Sequence, residues 1–233
     1  MQNEFNDRNH MYRELGAEYV RERRRFVPGY DTLVQSVVNE VLQVNPQRIL
    51  DVGAGVGNID ERILEVLPQA HITAVEPKYA PIVQKLFKGD ITIIEKKVHD
   101  VSPEEVAPES YDAAICNLVL HNIPLEDKKG RDKQAALKIM YDALRQGGTF
   151  VWGDLIDYDS KLQEVFVGLR HLHAFVQGAR YKHVIDVMKK EREEDSKLSI
   201  DASIGLCEKL RFKNVRVLTT SYVGTWAAFA MEK

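Results

Sequence analysis

Cysteine is nearly absent from this sequence, with Cys116 and Cys207 the only two. That excludes a disulfide framework or a paired-cysteine metal site, and it suits two thiols in a reducing interior. Long apolar runs are missing too. No stretch of about 18 apolar residues occurs, so no membrane-spanning helix is expected. The polar opening MQNEFNDRNHMYRELG has no apolar segment of the kind a signal peptide needs, and the expected compartment is the cytoplasm. An excess of one charge is lacking as well: 35 acidic residues stand against 32 lysines and arginines. Without a global positive field, neither nucleic acid nor an anionic membrane is an expected partner. Internal repeats and low-complexity segments are also absent.

What is present is enough apolar material, 44% of 233 residues, to bury one core, as in a single α/β domain with decorations. Residues 1–30 read as a charged helical arm bearing Phe5, Tyr12, Tyr19 and Phe26, with a basic cluster at Arg21, Arg23, Arg24 and Arg25. After Pro28-Gly29, Asp31 is the expected N-cap of a helix over 31–42, where Leu33, Val34, Val37, Val38, Val41 and Leu42 recur at helical spacing.

From residue 47 short apolar strands alternate with helices. Strands are expected over 48–52, 71–75, 91–94, 111–116 and 149–152. Between them lie helices carrying Ile59 and Ile63, then Ile82, Val83 and Leu86 behind Pro81, then Ala136, Leu137, Met140 and Leu144, the last closing at Gly147-Gly148. Such alternation implies parallel pairing with right-handed crossovers. A continuous helical region over 161–192 follows, inside an insert of about 155–200. A helix over 200–210 and an antiparallel pair, 214–218 and 225–231, close the chain. The expected division is an arm or lid over 1–30 and a domain over 31–233.

The chemistry concentrates at Asp51-Val52-Gly53-Ala54-Gly55-Val56-Gly57, a strand running into a glycine-rich turn before a helix. Glycines there let a ligand approach the backbone closely. Glu76 ends the next strand, where a carboxylate accepts hydrogen bonds from a ribose diol. The spacing is G-x-G-x-G, whereas a dinucleotide fingerprint would put its third glycine at Asn58. The acid just before the glycines suits a cationic ammonium better than a phosphate. Both points favour S-adenosylmethionine over a nicotinamide dinucleotide.

DVGAGVG, AVEP, the strand from Tyr111 to Asn117 continuing into Leu118-Val119-Leu120-His121, and Leu144–Thr149 resemble the successive motifs of class I S-adenosylmethionine-dependent methyltransferases, over roughly residues 30–231. The resemblance implies a Rossmann-like α/β fold: a seven-stranded, mostly parallel sheet in the order 3-2-1-4-5-7-6 with strand 7 antiparallel, helices on both faces and a helical lid. It assigns Asp51, Gly53, Ala54, Gly55 and Gly57 to the methionine end. Glu76 and Pro77 fall to the ribose, Val98 to the adenine, and Asn117 to the site wall. Many members carry an acid after the third strand for the adenine amine. Here Lys97 stands in that place and Asp100 is out of register. Phe26-Val27-Pro28-Gly29-Tyr30 is similar to the entry of a subgroup that includes carboxy-S-adenosylmethionine synthase, in which the tyrosine approaches the cofactor, and Tyr30 is carried over on that ground.

His121, after the fourth strand, and Asp154, after the fifth, sit where open α/β sheets bind ligands and are the catalytic candidates, His121 as a base titrating near neutral pH. His171 and His173 point apart on a helix, and neither they nor His183 form a metal set, so no metal is expected. Leu162, Val165, Phe166, Leu169, Leu172 and Val176 are expected to lay an apolar lid face over the sheet edge. The expectation is methyl transfer to a small molecule. An RNA-modifying enzyme, a non-catalytic cofactor-binding regulator and, more distantly, a nicotinamide-dependent reductase stand as alternatives, and a homodimer is left open.

Overall fold

The computed structural model describes residues 2–157 and 161–233, and the side chains of 2–10, 161 and 192 are outside the description. The expected place of Phe5 in the arm falls among those side chains. The chain opens with α1 (Gln2–Phe26) and α2 (Tyr30–Gln43). It then alternates through β1 (Arg48–Val52), α3 (Asn58–Val66), β2 (His71–Val75), α4 (Ala80–Phe87), β3 (Ile91–Ile94) and β4 (Tyr111–Asn117). After α5 (Lys133–Ala143) and β5 (Leu144–Leu155) come α6 (Lys161–Val176), α7 (Tyr181–Glu194) and α8 (Ile200–Lys209), and β6 (Lys213–Thr220) and β7 (Trp226–Glu232) close it.

The strands form one sheet in the order β3-β2-β1-β4-β5-β7-β6. β3, β2, β1, β4 and β5 are parallel, and β7 runs antiparallel to both β5 and β6. A parallel sheet is covered on both faces, which is why its strands read as continuous apolar runs. Ile49, Leu50, Ala113, Ala114, Ile115, Cys116 and Val151 are all fully buried. One layer, with Leu33, Val37 and Ile63, packs on one face, and the other, with Leu137, Met140 and Phe212, packs on the opposite face. β6 takes the edge, and its Lys213 and Arg216 are the polar residues an exposed edge tolerates.

Four sequence expectations are corrected. The N-cap of α2 is Gly29, at φ +77°, not Asp31. Asp31 lies in the first turn and accepts two bonds from Arg24, Nε at 2.8 Å and Nη2 at 3.0 Å, so the carboxylate ties α1 to α2. The helix over α5 stops at Ala143, and Gly147-Gly148 instead lie within β5, whose register slips between Tyr111 and Ala113. The expected continuous helix over 161–192 breaks at Gly178, φ +81°, where Ala179 N–H closes onto the Ala174 carbonyl at 2.9 Å.

The fourth concerns α6. Its inward face is Val167, Arg170 and Ala174, with Arg170 donating from Nε to the Phe26 carbonyl and pairing through its guanidinium with Glu191 on α7. Leu162, Val165, Leu169, Leu172 and Val176 are therefore 39–75% exposed and do not cover the sheet edge. A buried ion pair fixes the roll of this helix against the direction its hydrophobic stripe predicted. Phe166 alone of the expected lid face turns inward, against Gly224.

Candidate functional site

The ends of β1, β2, β4 and β5 converge at the carboxyl edge of the sheet, and α1 lies across them. At Gly53 (φ +80°) a Cβ would come within 2.1 Å of Val119 Cγ2, so the backbone can pass only as glycine. At Gly55 (φ +60°) a Cβ would stand 2.9 Å from Tyr19 Oη. The arm thus rests a hydroxyl directly on the turn. Gly57 starts α3 and packs on Phe87.

Beneath this turn lies an unusual floor. Asp51, at the end of β1, and Asp60, in the first turn of α3, are 2% and 0% exposed and face each other. Neither oxygen of Asp60 meets an N–H or hydroxyl donor. Burial pushes Asp60 up to about 7. Asp51 is raised well above the carboxylate range, first by burial and then by the Asp60 and Glu76 charges. The Asn117 Oδ1 is likewise buried without a partner. Asp51 and Asn117, with Tyr19, Tyr30, Asn58 and Ala54, line a narrow hole of about 10 Å³. Orphaned buried acceptors are costly, and a cationic group with N–H donors is their chemical complement.

Glu76 holds the loops together. Its Oε2 accepts from Gly55 N–H at 2.8 Å, and its Oε1 from the N–H groups of Lys78 (2.7 Å) and Tyr79 (3.0 Å). A carboxylate offers about four acceptor sites, so Oε2 keeps one for a diol. Beyond it a cavity of about 300 Å³ is walled by Val52, Val75, Pro77, Val98, Val119 and Ile123. Its rim carries Lys97 and the ion pair of Asp100 with Arg131 at 2.9 Å. An aromatic heterocycle fits those apolar walls, and Asp100 is already engaged.

On the other side of the turn a cleft of about 570 Å³ runs between α1, α7 and the sheet edge. His121 lines it, 5% exposed, with Nδ1 2.5 Å from Asp154 Oδ1. Asp154 also accepts from His121 N–H (3.0 Å), Trp152 Nε1 (3.1 Å) and Leu155 N–H (2.8 Å). A carboxylate so fully hydrogen-bonded requires Nδ1 to carry the proton, which leaves Nε2 as the acceptor, met by Asn122 Nδ2 at 3.0 Å. Arg23 enters from α1 with its guanidinium 4.9 Å from the Tyr19 ring centroid.

The structure thus brings Tyr30, Asp51, Gly53, Ala54 and Asn117 to one hole, Pro77 and Val98 to the apolar cavity, and His121 to the cleft, with Asp154 buried behind it. Tyr30 Oη accepts from Asn58 Nδ2 at 2.9 Å, and burial raises its hydroxyl pKa. His173 and His183 pack instead on the arm, contacting the Arg24 carbonyl (3.0 Å) and Glu22 (3.2 Å). Sequence reasoning missed Asp60, since an acid in a helix's first turn is the ordinary complement of the helix dipole. Arg23 was seen only as part of a basic cluster. Among the described residues no helix is long and apolar enough to cross a membrane.

Residues 50–150 match the model of a methyltransferase domain. No curated protein matches the sequence. Among solved structures, human N-acetylserotonin methyltransferase in complex with S-adenosylmethionine is 20% identical at a TM-score of 0.57, over 86% of this chain and 51% of that one. A Thermotoga maritima S-adenosylmethionine-dependent methyltransferase, described as a possible histamine N-methyltransferase, is 17% identical at 0.59, over 96% and 98%. The 1,6-didemethyltoxoflavin-N1-methyltransferase of Burkholderia thailandensis, with its substrate and S-adenosylhomocysteine bound, is 16% identical at 0.54, over 94% and 89%. The chain spans about half the length of the human enzyme and nearly all of the Thermotoga one.

Proposed function

We propose that this chain, whose residues 50–150 match the model of a methyltransferase domain and whose sheet has the order of the class I S-adenosylmethionine-dependent methyltransferase fold, transfers a methyl group from that cofactor to a small molecule held beside His121. The observation that carries the reading is the set of buried acceptors under the glycine turn, the unpartnered Asn117 Oδ1 beside Asp51, which is backed by the buried carboxyl of Asp60. A dinucleotide would bring phosphates to that turn, and buried carboxylates would repel them. An amino-acid ammonium satisfies them.

The remaining residues fit the other parts of the same molecule. Arg23, which has no acidic partner among the described residues, suits the carboxylate, Glu76 suits the ribose diol, and Val98 with its neighbours suits the adenine. When bound, the cofactor supplies a methyl group already activated on a sulfonium. The protein then has to hold the acceptor in line, exclude water and remove one proton. His121 is the base, taking the acceptor's proton at Nε2 once Asn122 yields, while Asp154 holds the tautomer and stabilises the imidazolium. α1 and α7 act as the lid.

A small acceptor is favoured over RNA because the arginines of the 21–25 cluster are engaged within the protein. Arg21 pairs with Glu18, Arg25 with Glu22 and Arg24 with Asp31, and Arg23 turns into the cleft. Among the described residues that cluster leaves no free basic track to follow a phosphate backbone. Incubating the protein with isotopically labelled methyl donor and metabolite extract, then searching for labelled small molecules by mass spectrometry, tests the reading. Label appearing only in added tRNA would refute it.

A further inference from the structure

The five side chains that α6 turns outward, Leu162, Val165, Leu169, Leu172 and Val176, are spaced 3, 4, 3 and 4 residues apart. At about 100° per residue they fall within an arc of about 80°, the narrow seam of a coiled coil and not the broader stripe of a helix lying on a core. They are 57%, 55%, 39%, 60% and 75% exposed. Phe175 and Tyr181, 39% and 70% exposed, stack beside the seam with ring centroids 6.1 Å apart.

We infer that this seam is the contact surface of a homodimer, with α6 of one copy packed antiparallel on α6 of the other across a two-fold axis near Leu169. The spacing is nearly the same read from either end of the helix, with Leu162 and Val176 each seven residues from Leu169. An isologous contact needs that self-complementarity, because each residue must meet its counterpart in the reversed direction. Gly168 borders the seam, and a Cβ built there meets nothing within 4 Å, so the helices can approach closely. His173 borders the other side, and no like-charged pair faces itself across the axis.

The area agrees. The seam and the aromatic pair leave several hundred Å² of apolar surface in one strip, the size at which exposed patches on soluble proteins mark interfaces. Doubled across a two-fold, and rimmed by polar residues of the neighbouring helices, it forms the apolar centre of an interface of about 1,600 Å². A membrane-lying helix would want several lysines and arginines beside its apolar face, whereas Lys161 is the one basic residue at such a position, beside Gly168, Phe175 and His173. α6 also holds Arg170, whose Glu191 partner lines the cleft, so the contact would steady the wall of the substrate site.

Sedimentation of the full chain at micromolar concentration tests this, with an expected mass of twice 26.6 kDa. Leu169→Glu should bring it to the single-chain mass with an unchanged circular dichroism spectrum. Direction is read from cysteine variants, since native Cys116 and Cys207 are buried. Leu169→Cys should crosslink to itself under mild oxidation. Leu162→Cys should crosslink to Val176→Cys when the two are mixed but not to itself. A monomeric wild type, a dimer that survives Leu169→Glu, self-crosslinking of Leu162→Cys, or wild type captured by anionic vesicles and released by Leu169→Glu would each overturn the assignment. None of these readouts depends on cofactor or turnover.

Discussion

Nδ1 of His121 and Oδ1 of Asp154 lie 2.5 Å apart in a setting where Trp152 and two backbone N–H groups also aim at the same carboxylate. Four donors hold the Asp154 carboxylate in place, and the imidazole is thereby oriented towards the cleft. Replacing His121 with Gln, or Asp154 with Asn, should lower kcat by ~10²–10⁴, the usual scale for general-base catalysis. Cofactor affinity should stay within about threefold, since neither residue lines the narrow hole or the apolar cavity. Steady-state kinetics beside calorimetry would separate the two, and unchanged kcat in both variants removes the pair from the chemistry.

The Asp51–Asp60 pair predicts an unusual pH dependence. A carboxyl whose folded pKa is raised binds its proton more tightly in the native state than in the unfolded chain. Its contribution to stability is complete below the unfolded carboxyl range near 4 and is lost as pH rises through about 7. Melting temperature should therefore fall between pH 4 and 7 in wild type, and Asp60→Asn should flatten that fall. Cofactor affinity should move the other way, strengthening as the pair ionises. Identical melting profiles for wild type and variant would show that folding does not raise the pKa of this pair.

Glu76 accepts three backbone N–H groups and keeps one acceptor site. Replacing it with Ala should weaken binding of S-adenosylmethionine and S-adenosylhomocysteine by ~1–3 kcal/mol, the scale for hydrogen bonds to a charged group. It should also lower the melting temperature of the free protein, because Gly55, Lys78 and Tyr79 lose their acceptor. Equal affinity in a folded variant would take Glu76 out of the ribose site.

Arg23 has no acidic partner among the described residues and lies over Tyr19. Arg23→Ala should weaken S-adenosylhomocysteine by ~1–3 kcal/mol while leaving 5′-methylthioadenosine, which has no carboxylate, unaffected. Titrating both ligands decides it. Equal losses for the two would mean that the arginine only shapes the arm.

The sheet was legible because the strands from β1 to β5 are apolar runs, all but the β3–β4 pair separated by helices, and the alternation implies the parallel pairing seen. The Asp51–Gly57 turn and Glu76 were legible because glycine spacing and one acid at the end of a strand are local features. Helix roll was not. The outward seam of α6 and the inward Arg170 depend on the Glu191 pairing, a contact 21 residues away in sequence. Asp60 was hidden for a similar reason, since only the fold shows that its carboxyl meets Asp51. Asp31 has the composition of an N-cap, but Gly29 takes that place and Arg24 takes the carboxylate.

The most direct test of the central claim is calorimetric titration of the purified chain with S-adenosylmethionine, S-adenosylhomocysteine and NADH, repeated with Asp51→Asn. The account predicts that the first two bind at one site per chain, that Asp51→Asn weakens both by at least about tenfold, equivalent to ~1.4 kcal/mol, and that NADH does not compete. NADH binding more tightly than S-adenosylmethionine, or Asp51→Asn leaving both affinities unchanged, would contradict it.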